Sequence, residues 1–98
     1  MKKYLPIGSV IRIQNNKKKL MIYGRRQTSK KNGQEYDYIA CPYPEGNISE
    51  EYSFVLNEEI IEEVIFEGYI DDEEDEFNNY LIDFDEDNLK DKENNGVS

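Results

Sequence analysis

Histidine and tryptophan are absent from this 98-residue sequence, and cysteine occurs once. Without histidine there is no Ser-His-Asp or Cys-His nucleophile system, and the commonest transition-metal ligand is missing. A lone Cys41 excludes an internal disulfide framework and any Cys₂His₂ or Cys₄ zinc site. Long apolar runs are missing as well. Nothing approaches the roughly 18 residues of a membrane span, and the basic start Lys2-Lys3 is not followed by the apolar stretch of a signal peptide. A free thiol without an export signal suits a cytoplasmic protein. These absences lead to the expectation of a non-enzymatic protein with no cofactor and no metal.

What the sequence has is charge and aromatic rings. Twelve Lys or Arg stand against 22 Asp or Glu, for a net of −10, and the rings are eight tyrosines and four phenylalanines. Hydrophobic residues make up 37%, enough for one modest core when much of the apolar area sits in rings. The charge is segregated. Residues 1–49 hold ten basic residues against three acids, whereas residues 50–98 hold two against nineteen. Such asymmetry points to a partner of opposite charge, or to attraction between the two halves.

Ser9-Val10-Ile11-Arg12-Ile13 is short and β-branched, a strand by composition. Lys19-Leu20-Met21-Ile22-Tyr23 opens a second strand running to Arg26. A turn at Asn32-Gly33 leads into a third, Tyr36 to Cys41. Pro42-Tyr43-Pro44-Glu45-Gly46 breaks the sheet, Tyr52 to Leu56 resumes it, and Asn57-Glu58-Glu59 reads as a cap with an acidic single turn. Val64 to Tyr69 is the fifth strand. The spacing predicts a mainly β (α+β) fold, a small SH3-like or curled antiparallel β-barrel of about five strands followed by a C-terminal amphipathic helix.

That helix is expected over 72–84. Six consecutive acids precede Phe77, Tyr80, Leu81 and Phe84, which recur at i, i+3, i+4 and i+7, and acids suit a helix N-terminus. The stripe either closes over the sheet, the preferred reading, or waits for another protein in a helix-in-groove mode. Residues 1–84 are read as one domain and 85–98 as an acidic, polar, disordered tail.

Other constellations are weaker. Lys17-Lys18-Lys19, Arg25-Arg26 and Lys30-Lys31 suggest nucleic acid, but the topology places the first and last groups at opposite strand ends, roughly 26 Å apart. The acidic second half would also repel phosphate. Asp83, Asp85 and Asp87 imitate the start of an EF-hand loop, but Asn88 stands where glycine is required and Asn94 where a bidentate glutamate should be. Cys41 reads as a small buried apolar residue. Tyr43, on a stiff loop, either presents its ring to a partner or covers the open end of the barrel. The candidate partner-binding residues are therefore Tyr43, Asp72, Glu73, Glu74, Phe77, Tyr80, Leu81 and Phe84.

Several segments together carry a family likeness: Leu5-Pro6-Ile7-Gly8-Ser9-Val10, Lys19 to Arg25, Tyr36-Asp37-Tyr38, Tyr43-Pro44-Glu45-Gly46 and Ile61 to Tyr69. In order and spacing they resemble the small Gram-positive bacterial family catalogued as domain of unknown function 4176, over residues 4–84. That family occurs in type VII (Esx-type) secretion loci beside LXG-domain toxins and small helical WXG100-like proteins. The resemblance implies a cytosolic accessory protein or export chaperone, with such a toxin or helical protein as partner. It carries over no catalytic residues. An immunity protein neutralising a cognate toxin is the alternative, and a nucleic-acid-binding β-barrel a third.

Overall fold

The computed structural model describes residues 3–97, with side chains described over 3–85. Two compact units divide the chain: Tyr4–Tyr69 forms one, and the segment from Ile70 onward, with Lys3, forms the other. The sequence reading of one domain over 1–84 therefore meets a boundary at Tyr69.

The first unit is a five-stranded antiparallel sheet: β1 (Val10–Ile13), β2 (Leu20–Thr28), β3 (Glu35–Pro42), β4 (Phe54–Leu56) and β5 (Ile61–Phe66). The strand order is β4-β3-β2-β1-β5, a meander whose last strand returns to the first. β2 and β3 make the longest pairing, from Leu20 opposite Pro42 to Thr28 opposite Glu35. Their hairpin loop closes through Ser29 N–H donating to the Gln34 carbonyl at 2.8 Å, and Gly33 sits at φ 71°, a left-handed conformation that glycine adopts without penalty. The sheet curls but does not close into the expected barrel. β4 and β5 are its two margins and do not pair. With three residues in β4, there is little ladder with which to seal a barrel.

The core draws on four of the strands. Leu20 and Ile22 of β2, Tyr38 and Ala40 of β3, Ile11 of β1 and Leu56 of β4 are all at most 2% exposed. Tyr4, before β1, packs edge-to-face on Tyr38 with ring centroids 5.9 Å apart. The Tyr38 hydroxyl accepts from Leu5 N–H at 2.9 Å and donates to Glu58 Oε1 at 3.2 Å. Burial, reinforced by the Glu58 carboxylate, pushes this phenol well above its ordinary range, although the Leu5 donor works the other way.

Two local expectations shift. The single turn is present as a 3₁₀ turn, Glu58–Ile60, but Asn57 does not cap it. Asp37 Oδ2 accepts from Glu58 N–H at 2.8 Å instead, while Asn57 Oδ1 accepts from Asp37 N–H at 3.2 Å. The partner across the sheet supplies the cap that local sequence assigned to Asn57. The turn is so short that β5 begins at Ile61, opposite Ile13, rather than at Val64. Another 3₁₀ turn, Glu50–Tyr52, replaces the expected start of β4.

After β5 the chain passes close to its own N-terminal segment. Gly68 N–H donates to Ser9 Oγ at 3.0 Å, and Ser9 Oγ donates to the Pro6 carbonyl at 2.7 Å. A Cβ on Gly68 would overlap the Ile7 carbonyl oxygen, so the close approach requires glycine here.

The second unit is α1 (Asp72–Val97). Asp71 caps it, its Oδ1 accepting from Glu74 N–H at 3.0 Å. The helix continues through the segment read as a disordered tail from residue 85. No proline or glycine occurs between Asp85 and Asn95, so nothing in the covalent chain stops it sooner. No helix among the described residues is long and apolar enough to cross a membrane.

Candidate functional site

Each unit carries exposed apolar side chains. In the sheet unit, β1, β2, β5 and the loop after β3 surround a groove of about 420 Å³ lined by Gly8, Val10, Lys19, Met21, Tyr43, Ile65 and Phe66. Tyr43 forms one wall, and Lys19 Nζ lies 5.9 Å from its ring centroid, within cation–π range. The loop holding Tyr43 is tied down at both sides: Tyr43 N–H donates to the Lys19 carbonyl at 3.0 Å and Gly46 N–H to the Pro42 carbonyl at 2.7 Å. Tyr43 thus keeps a fixed place and is 42% exposed.

β5 supplies the opposite wall. As an edge strand it pairs only with β1, and Val64, Ile65 and Phe66 are 45%, 42% and 61% exposed. Adjacent strand residues point to opposite faces, so one core cannot cover three consecutive apolar side chains. Ile65, Phe66, Lys19 and Met21 were not among the partner-binding residues read from sequence. The signal available was that Val64-Ile65-Phe66 run, which on an edge strand leaves at least one ring or branch in solvent.

On α1 the structure separates residues that the sequence reading grouped. Among the described residues of the helix Leu81 (5%) and Asn78 (2%) are buried, while Phe77, Tyr80 and Phe84 are 47%, 60% and 43% exposed. The expected stripe Phe77, Tyr80, Leu81 and Phe84 is thus divided, with Leu81 buried and the three rings exposed. The protected row runs through Glu74, Asn78, Leu81 and Asp85, and the three rings lie on the neighbouring row. They cover one another instead, Phe77 stacked on Tyr80 at 5.9 Å and Tyr80 tilted against Phe84 at 6.4 Å. Asp72 and Glu73 are solvent-facing, whereas Glu74 is half-buried, with Asn78 Nδ2 donating to its Oε2 at 3.5 Å.

Three basic residues of the sheet unit meet carboxylates. Arg12 Nη2 meets Glu63 at 2.7 Å, Lys18 Nζ meets Glu45 at 2.8 Å, and Arg26 Nη2 lies 3.4 Å from Glu35. The hydrogen bond from Arg12 to Glu63 raises the guanidinium pKa further, and that from Lys18 holds the Glu45 carboxyl below its usual range. Cys41 is buried, its thiol donating to the Met21 carbonyl at 3.7 Å, and burial pushes its pKa up, away from the thiolate form that a nucleophile requires. Among the described residues no group of three His, Cys, Asp or Glu side chains is placed to hold a metal ion.

A family model matches residues 4–77, from the first core tyrosine to the first ring of the helix row. The chain belongs to the domain of unknown function 4176 family. No curated protein and no solved structure matches it. The family match takes in the whole sheet unit and every residue lining the groove, but of the helical rings it reaches only Phe77. In this member of the 4176 family, Tyr80 and Phe84 thus lie beyond the matched segment.

Proposed function

We propose that the chain is a non-enzymatic protein-binding accessory factor, a cytoplasmic chaperone that holds an LXG-type toxin, or a WXG100-like helical protein, before type VII export. The observation that carries the binding reading is the groove between Tyr43 and Phe66. A small domain gains nothing in stability from leaving these rings and Ile65 in water, and contiguous exposed apolar surface marks interaction sites. The choice of toxin as partner rests on the resemblance to families found in type VII loci. Arg12, Lys18 and Arg26 meet the chain's own carboxylates, which favours a protein partner over nucleic acid.

Co-expression with an LXG toxin from the same locus tests the proposal. The pair should co-elute in gel filtration at micromolar concentration, and Tyr43→Ala with Phe66→Ser should release the toxin. A toxin that elutes alone beside the wild-type chain overturns it.

The acidic second half supports immunity as the second reading, since charge complementarity speeds capture of a basic toxic domain. Binding to the toxic C-terminal domain, together with rescue of toxin-expressing cells, would replace chaperone with immunity protein. Binding to the N-terminal LXG region would uphold the chaperone.

A further inference from the structure

We infer that the ring row of α1 is a second docking face, one that takes a basic amphipathic helix of a partner protein, with Tyr80 at its centre. The inference rests on the protein-binding reading above but names a surface that the groove does not include. Phe77, Tyr80 and Phe84 are 47%, 60% and 43% exposed and contact one another in sequence along the helix. At about 100° per residue they share one narrow strip, and Phe77 to Phe84 spans two turns, about 10 Å. That length and spacing suit one heptad of a facing helix, whose apolar residues would settle between the rings.

The border of the strip defines the partner's charge. By the same helical geometry, Glu73 continues the strip toward the N-terminus, and Glu76 and Asp83 flank it on the side away from Leu81. All three acids are exposed. From Asp71 to Asp85 the sequence holds eight acids and no Lys or Arg, so the helix itself supplies no cation along this strip. A second copy of the chain would set acids against acids, and an anionic lipid surface or nucleic acid would be repelled. A helix with an apolar stripe edged by Lys or Arg meets both the rings and the carboxylates.

The probe is a synthetic amphipathic peptide of about three heptads, with leucine along its stripe and lysine along both borders, titrated calorimetrically into the full chain. A counterpart replaces every lysine with glutamate. The lysine peptide should bind at least about tenfold more tightly than the glutamate peptide, and less tightly as salt is raised. Phe77→Ala with Tyr80→Ala and Phe84→Ala should weaken binding by about tenfold or more while leaving helical circular dichroism in place. Glu76→Lys with Asp83→Lys should invert the preference between the two peptides. Equal binding of both peptides, or unchanged binding by the triple alanine variant, overturns the inference. Wild-type self-association in sedimentation that Tyr80→Ala abolishes would make the occupant a second copy, and also overturns it.

The toxin experiment separates this inference from the accessory-factor reading. Toxin retained equally by wild type and triple variant upholds the accessory role and overturns the ring face. Toxin ignored by the wild-type chain while the lysine peptide still binds overturns the toxin as partner and upholds the face.

Discussion

Tyr4 and Tyr38 in the sheet unit have ring centroids 5.9 Å apart, the same separation as Phe77 and Tyr80 in α1. The first pair is 2% and 0% exposed, the second 47% and 60%. The contact distance is shared, and what surrounds it differs. Tyr38 is enclosed by side chains from several strands, and its hydroxyl is held by Leu5 and Glu58, residues far away in sequence. Tyr80 contacts the rings of Phe77 and Phe84, three and four residues away on its own helix. Ring contacts of the first kind stabilise a fold; those of the second kind leave surface for something else.

The comparison breaks or holds on mutation, and the largest effect is expected at Tyr38. Tyr38→Ala should cost about 3–5 kcal/mol in denaturant unfolding, through lost burial and the cavity left behind. The triple alanine change at Phe77, Tyr80 and Phe84 should stay within about 1 kcal/mol of wild type, as exposed substitutions do. A helix variant as damaging as Tyr38→Ala would show that the rings serve the fold after all.

Next in size are the changes at the close approach of Gly68 to the N-terminal segment. Ser9→Ala should cost about 1–3 kcal/mol by leaving the buried Gly68 N–H without its acceptor. Gly68→Ala should cost a similar amount, about 1–3 kcal/mol, because its Cβ meets backbone that cannot rotate away. Thermal unfolding of the two variants provides the check, and a neutral Gly68→Ala would rule out the close approach.

Tyr38→Phe comes after these, at about 1–2 kcal/mol, since it removes the acceptor of Leu5 N–H but keeps the ring. An unchanged midpoint would show that Leu5 finds another acceptor.

The smallest effect belongs to the exposed pair Lys18–Glu45. Because the folded-state pKa of Glu45 is lowered, its contribution to stability is present above the ordinary carboxylate value and is lost as pH falls through the folded value. In an NMR titration Glu45 should therefore titrate below a free glutamate, and Lys18→Ala should return it toward the ordinary value. A Glu45 that titrates normally in the wild type would show that the pair does not persist in solution.

Much of the sheet was legible because β-strands announce themselves locally. Ser9 to Ile13, Leu20 to Tyr23 and Tyr36 to Cys41 combine β-branched or aromatic residues with turn formers at their ends, and each became a strand. Phe54–Leu56 and Ile61–Phe66 were found with displaced bounds. The lengths of their flanking 3₁₀ turns depend on cross-sheet bonds such as Glu58 N–H to Asp37, which local spacing cannot reveal. The candidate site was legible in part. Tyr43 and the helical rings stood out by type and spacing, whereas Ile65, Phe66, Lys19 and Met21 became neighbours only when β5 returned to β1.

By itself, then, the sequence determined the five strands, the helix after them, the segregation of charge and the row of rings, because each follows from residues within a few positions of one another. Tertiary structure decided that the sheet stays open, that a groove lies between Tyr43 and Phe66, and that Leu81 is buried while Tyr80 is not. Those outcomes depend on which edges pair and on which of two adjacent helical rows is shielded. A helix offers both rows about equally, some 100° apart, and periodicity alone does not choose between them.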